Sequence, residues 1–222
     1  MIYVAGDTHG DITRFSKFKK MFRKQKDFLL ICGDFGFIWD GSEKEADTIK
    51  KLEKLDCIIM FVEGCHDNID LLSSYPLEQY CEGTVRRIAK NVYWMQRGEI
   101  FYLYGTSVFA LGGGESHDAD ERIQGVTWWP DELPSSSELE HAAKNLESVG
   151  NKVDIIITHQ NPLFELGLIG KRPERVNALT NFLEKTLNET SFSRWYFGSE
   201  HVDKAISGKM TSVFEKIVAY EK

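Results

Sequence analysis

Apolar runs punctuate the first third of the chain, and each is followed by glycine and a polar group. Ile2–Ala5 leads into Gly6-Asp7, the run DFLLIC at 27–32 into Gly33-Asp34, and CIIMFV at 57–62 into Glu63, Gly64, Cys65, His66 and Asp67. Between them, Phe15, Phe18 and Phe22, then Ala46, Ile49, Leu52 and Leu55, recur at the spacing of an amphipathic helix. Strands of one apolar type alternating with helices predict parallel pairing through helical crossovers.

Past position 90 the period changes. Short aromatic-rich stretches over 93–96, 100–104 and 107–111, separated by glycine-containing turns, predict a second, mainly antiparallel sheet. Gly112-Gly113-Gly114 opens a segment with neither period, which continues through Trp128, Trp129 and Pro130; loops of this length in compact domains usually serve a site. Ser135 and Ser137, each with a glutamate three residues on, are cap candidates for a helix whose buried stripe is Leu139, Ala142, Ala143, Leu146 and Val149. The run 153–157 is a further buried strand that hands over to Thr158-His159. A helix carrying Val176, Leu179, Phe182, Leu183 and Leu187 follows Pro173. A short strand at 194–197 ends in Gly198-Ser199-Glu200-His201, and 211–220 supplies one or two closing strands. Two sheets with helices outside both would bury every one of these apolar faces. No repeat, low-complexity stretch or linker divides the chain, so 1–222 is expected to form a single α/β domain.

Composition narrows the function. A chain of 222 residues can build a core without disulfides or a structural metal. Its 27 Lys and Arg against 34 Asp and Glu give a net charge of -7, which disfavours nucleic acid as a partner but not a small phosphate ester drawn to a bound cation. No apolar run approaches the roughly 20 residues of a membrane span, so no membrane partner is expected. The sequence enters a strand at once, without the features of a signal peptide. Cys32, Cys57, Cys65 and Cys81 form no close pair and read as reduced thiols, which together predict a cytoplasmic protein. Asn188-Glu189-Thr190 matches a glycosylation pattern that is without consequence there.

The chemistry gathers at the strand ends. Five strands finish in metal-ligand types: Asp7 and His9, Asp34, the segment Cys65-His66-Asp67, His159, and His201. In α/β sheets ligands sit beyond the carboxyl ends of the strands, so these groups, distant in sequence, can meet. Divalent ions take carboxylates to offset charge and imidazoles for directional bonds. Asp7 and His9, two apart, would point the same way from an extended segment. One aspartate such as Asp34 can bridge two ions about 3.5 to 4 Å apart. Solvated turn aspartates are the bland alternative, since Gly-Asp is an ordinary turn pair; four of the six histidines falling just past apolar strands argue against it.

GDTHGD at 6–11, GDFG at 33–36, GCHDN at 64–68, Thr158-His159 and GSEH at 198–201 together resemble, in order and spacing, the motifs of the calcineurin-like metallophosphoesterases. RIQGV and WWPDE between 122 and 132 are also similar to small bacterial and phage-type members. The resemblance implies a four-layer αββα sandwich, two mixed β-sheets flanked by helices. It makes Asp7, His9 and His201 ligands of a first metal, Asp34 the bridge, and His159 a ligand of the second. His66 matches the histidine that contacts phosphate and protonates the leaving oxygen, and Asp67 the aspartate beside it, in a supporting role. The expected activity is hydrolysis of a phosphomonoester or phosphodiester by a metal-bound hydroxide.

Two positions depart from the pattern. Cys65 stands where the family has asparagine, and Ser199 where it has the first histidine of its closing motif, both ligands of the second metal. Three readings stay open. Cys65 ligates as a thiolate, which favours Zn or Fe over Mn or Mg. Alternatively the second site is weak, with Ser199 holding a water, and turnover is slow with Mn, Zn or Fe. In the third, the protein binds metal and a phosphorylated molecule as a regulator with little or no hydrolysis. Cys65 as a nucleophile fits poorly, because no phosphate-cradling loop ending in arginine follows it. Substrate contacts are expected from Arg122, with His117 and Asn68 as further candidates, toward a small phosphate ester or a phosphoprotein; each has an ordinary loop role as its alternative. Trp128 and Trp129 are expected to pin the long loop rather than to stack on bases. Lys171, Arg172 and Arg175 form a modest basic patch, and Gly112 to Gly114 lack the completing residues of a P-loop.

Overall fold

The computed structural model describes residues 1–18, 27–162 and 176–221. The first three apolar runs form β1 (Ile2–Ala5), β2 (Asp27–Cys32) and β3 (Cys57–Val62), which pair in parallel. The segments between and after them supply α1 (Ile12–Phe18), α2 (Glu43–Leu52) and α3 (Ile69–Ser73). Next come β4 (Leu77–Tyr80), β5 (Gly83–Ala89), β6 (Val92–Met95), β7 (Glu99–Leu103) and β8 (Thr106–Leu111). The second half holds α4 (Ser136–Ser148), β9 (Lys152–Thr158), α5 (Ala178–Glu189), β10 (Ser191–Phe197), β11 (Lys204–Ala205), β12 (Met210–Ser212) and β13 (Val218–Ala219).

One sheet runs β13-β1-β2-β3-β6-β5-β4 and the other β11-β12-β10-β9-β8-β7. This corrects the expected partition. The stretch at 93–96 does not open the second sheet: β6 pairs in parallel with β3 and closes the first, followed by the antiparallel β5 and β4. Nor is the second sheet mainly antiparallel. Helices α4 and α5 separate β8, β9 and β10, and a helical crossover returns the chain to the same end, so these strands pair in parallel. Among the described residues, only β7 and β11 of this sheet run against their neighbours.

Alternation along the strands builds three apolar layers. Tyr3, Leu29, Ile31, Ile59 and Phe61 face Phe15, Leu52, Ile69 and Leu72 of α1 to α3. From the other side of the same strands, Val4, Leu30, Met60 and Val62 meet Val108, Ala110, Ile155 and Ile157 between the sheets. Phe109, Ile156, Trp195 and Phe197 then face Leu139, Ala142, Leu146, Leu179 and Leu183 of α4 and α5. The result is a sandwich of two mixed sheets flanked by helices.

Ser135, not Ser137, caps α4, in a reciprocal pair with Glu138. Val176 precedes α5 and is exposed, because Asn177 starts the helix as its cap. Phe22, Pro173 and the patch of Lys171, Arg172 and Arg175 lie outside the described residues. Among those described, no helix is long and apolar enough to cross a membrane.

Candidate metal centre

Strand register brings the polar segments into line. Ala5 pairs with Ile31, Cys32 with Val62, and Thr158 with both Leu111 and Phe197, so six chain segments leave the sheets at one edge. The loops then lock to each other: His9 N donates to the Asp34 carbonyl at 2.8 Å, and Thr8 Oγ1 to that of Phe35 at 2.9 Å. Two glycines allow the approach. A side chain at Gly33, which has φ 87°, would overlap the His159 ring, and one at Gly64 would overlap the Asp34 carboxylate.

The segment holding Asp7 and His9 is not extended, as the sequence suggested. Asp7, His9, Asp34, Ser199 and His201 all have positive φ, between 40° and 60°. They make up five of the nine non-glycine residues with left-handed backbone among those described. Such conformations persist only where the surroundings enforce them, and they gather at functional sites.

Donor atoms of Asp7, His9, Asp34 and His201 lie within 4.8 Å of one another, as do those of Asp34, Cys65 and His66. Three features test whether a cation suits the first group. Asp7 is fully buried and its Oδ2 has no hydrogen-bond partner, although Oδ1 accepts from Ser199 N at 3.2 Å. The Nε2 atoms of His9 and His201 face each other at 3.1 Å. Burial, opposed by Asp34 and Asp7, lowers the His9 pKa and favours the neutral imidazole, the ligand form. A bare carboxylate oxygen and two converging imidazole nitrogens fit a divalent ion.

Asp34 sits between the two groups. Its Oδ1 lies 3.6 Å from His159 Nε2 and accepts from His66 N at 2.8 Å, while Oδ2 meets His66 Nδ1 at 2.8 Å. Burial pushes the Asp34 carboxyl up, but His159 and His66 outweigh this and hold it below the ordinary carboxylate range. Burial likewise disfavours charge on His159, and Asp34 and Asp7 reverse that, raising its pKa. Cys65 Sγ is 3.9 Å from His159 Nε2 and 3.5 Å from His66 Nδ1.

His66 experiences two opposed demands. Its bond to Asp34, and then Cys65, raise its pKa to about 10. Yet Arg122, which can only donate, presents Nη2 to His66 Nε2 at 2.8 Å, and a lone pair is needed there. Two donor-bearing groups converging from opposite loops suit an anionic oxygen that accepts from both.

Asp34, Cys65, His66, His117, Arg122, His159, Ser199 and His201 share the wall of one open cavity of about 410 Å³. Asp7 and His9 are absent from that wall and line a separate open hollow with Arg14 and Phe214. Asp67 is buried and accepts from the amides of Phe35, Gly36 and Gly64 at 2.8 to 3.1 Å; burial and Asp34 push its pKa up to about 7 against those bonds. Asn68 is absent from the cavity wall: its Oδ1 caps α3 at Leu71 N and its Nδ2 donates to the Trp39 carbonyl. Trp129 is buried edge-on against Trp39, fastening the long loop to the body.

Sequence reasoning missed three supports. Arg14 donates to the Asp7 carbonyl at 2.5 Å and to those of Gly6 and Phe214. Glu63, fully buried, receives Arg97 Nε at 2.5 Å and Trp94 Nε1 at 2.6 Å. Asp203 accepts from the amides of Phe214, Glu215 and Lys216. The sequence signal for each is one charged residue near a motif, which solvated residues share.

A two-sheet sandwich with a carboxylate and imidazole cluster at its strand ends defines a metal-dependent hydrolase. The chain belongs to the calcineurin-like phosphoesterase family, whose sequence model matches residues 1–208. No curated protein matches it. Among solved structures it is similar to a candidate 5'-nucleotidase of Staphylococcus aureus in complex with alpha-ketoglutarate. There the TM-score is 0.52 and the identity 14%, over 99% of this chain and 51% of that one. The chain thus spans about half the length of that relative, and the likeness is one of fold. The phosphopantetheinyl hydrolase PptH of Mycobacterium tuberculosis gives a TM-score of 0.45 at 11% identity, over 96% of this chain and 89% of that one.

Proposed function

We propose that the chain hydrolyses a phosphomonoester or phosphodiester at a two-metal centre, with Mn, Zn or Fe as the ions. The observation that carries this reading is the convergence of Asp7, His9, Asp34 and His201 beside a cavity that His66 and Arg122 enter together. Asp7, His9 and His201 would hold the first ion, Asp34 would be shared by both, and His159 with Cys65 are what the chain offers the second. Ser199 supplies a hydroxyl beside it. Ions bound there bring water of lowered pKa and offset charge on the phosphoryl oxygens. Arg122 binds the phosphate, with His117 as a further contact from the same loop. His66 hands its proton to the leaving oxygen, a task suited to imidazole. Asp67 supports both by fixing the loops that carry Asp34 and His66. The substrate is a small phosphate ester or a phosphoprotein met in the cytoplasm.

Cys65 and Ser199 favour a second reading, a metal- and phosphate-binding regulator of weak or no turnover. One experiment separates the two: metals per chain and hydrolysis of chromogenic mono- and diesters, with Mn, Zn or Fe and with chelator. Both are measured for the native chain and for Cys65→Asn with Ser199→His. Metal-dependent turnover by the native chain supports the hydrolase. One metal rising to two, with a rate gain on the order of 100-fold, marks a weakened second site. Two metals in the native chain, one lost in Cys65→Ala, mark a thiolate ligand. No turnover with any ion, alongside bound metal and phosphate, would leave the regulator standing.

A further inference from the structure

We infer that Phe214 is a positioning residue for the first metal site, held by Arg14 and Asp203 so that its ring fixes the His201 imidazole. This rests on the assignment of His201 to the first ion. Metal-binding histidines are usually oriented by a hydrogen bond to the second ring nitrogen. His201 is exposed, with φ 49°, and its one side-chain hydrogen bond among the described residues is to His9. His9 also meets its ring edge-on at 5.1 Å, and the face of the ring is covered by Phe214, stacked with centroids 4.9 Å apart and planes 22° from parallel.

Phe214 is itself held from both sides. Asp203, two residues beyond His201, accepts its amide at 2.8 Å and the next two amides at 3.1 and 3.2 Å. Arg14 takes its carbonyl and lies over its ring at 5.4 Å. The same guanidinium holds the carbonyls of Gly6 and Asp7. One cation therefore joins the loop bearing Asp7 and His9 to the segment that supports His201. Residues near the start of the chain and near position 214 are thereby set against each other.

The test is titration calorimetry of Mn²⁺ into metal-free protein for the native chain, Phe214→Leu, His201→Ala and the double variant, with a thermal melt of each. Phe214→Leu should weaken Mn²⁺ binding about 10-fold, the lower end for residues that orient a metal ligand. It should have no further effect once His201 is alanine, and Phe214→Tyr, which keeps the ring, should restore native affinity. If Phe214→Leu does not fold, Asp203→Asn takes its place in the same cycle. A purely structural role would lower the melting temperature in both backgrounds and leave the affinity of the folded protein unchanged, overturning the inference. Equal losses with and without His201 would overturn it too. A His201→Ala variant that binds Mn²⁺ like the native chain would overturn the metal assignment as well.

Discussion

Arg97→Met removes the cation at the centre of a buried network. The Arg97 side chain is 6% exposed and that of Glu63 0%, with 2.5 Å between Nε and Oε1. Burial disfavours charge on Arg97, but Glu63 and Glu138 outweigh this and hold it protonated. Its remaining donors reach Glu138 at 3.1 Å and the Asp131 carbonyl at 2.6 Å. Methionine would fill much of the volume yet leave the Glu63 carboxylate buried, with Trp94 as its remaining side-chain donor among the described residues. Breaking a buried pair on one side costs about 3 to 5 kcal/mol. For a chain of this size that lowers the melting temperature by roughly 6 to 20 °C. Urea unfolding with linear extrapolation gives the free energy, and an unchanged slope verifies that the transition is the same. Arg97→Met with Glu63→Gln should recover a large part of the loss, because the amide needs no counter-ion and still accepts from Trp94. A single-variant loss below about 1 kcal/mol, or a double variant as unstable as the sum of the singles, would refute the reasoning. The network also bears on the site. Arg97 holds residues flanking Glu132, whose carboxylate fixes Ser116 through its amide and hydroxyl at 2.7 and 2.6 Å. Amide exchange over 116–122 should therefore quicken in Arg97→Met beyond what global destabilisation explains.

In metal-free protein, His66 has a folded pKa of about 10, above its unfolded value of about 6.5. Its stabilising contribution is complete below the unfolded value and is lost as pH rises toward 10. Melting temperature should fall across that window, and His66→Gln should flatten the fall; an unchanged profile would show that Arg122 already keeps the imidazole neutral. Asn68→Ala should cost about 1 kcal/mol through loss of the α3 cap and leave KM for a phosphate ester unaltered. A raised KM at native stability would instead make Asn68 a substrate contact.

The legible part of the fold was the part written locally. Strand runs such as Leu29 to Ile31 and the glycine and aspartate after them lie within a few residues of each other, so period and residue type sufficed. The sheet assignment of Val92–Met95 was not local. The same short apolar strand fits either sheet, and its place is decided by the open edge of β3, more than 30 positions upstream. The left-handed turns at Asp7 and His9 were hidden for a similar reason. Spacing of two suits an extended segment, and what bends it is the pairing of His9 with the Asp34 carbonyl and of Arg14 with Asp7. The residue types that gather at the strand ends were legible; their supports were not. Arg14 and Phe214 are 200 positions apart, and Arg97 lies 34 from Glu63.

Those supports explain how loops without regular structure hold a metal site. Five left-handed residues at about 1 kcal/mol or more apiece amount to a sizeable share of the 5 to 15 kcal/mol that ordinarily separates folded from unfolded chains. Aspartate and histidine enter this region more readily than branched residues, which keeps the cost near the low end. Charged side chains acting on backbone groups tie these loops down: Arg14 on the carbonyls of Gly6, Asp7 and Phe214, Asp67 on the amides of Phe35, Gly36 and Gly64, and Asp203, just past His201, on the amides of Phe214, Glu215 and Lys216. A charged group that holds several backbone dipoles tolerates change in the side chains between them. Cys65 lies on the loop gripped by Asp67, and Ser199, with φ 60°, donates its amide to Asp7 whatever its side chain. Side-chain identity at these two positions can thus change the donors offered to an ion while the backbone around Asp7 and Asp34 stays as it is. Restoring asparagine and histidine there tests chemistry rather than folding.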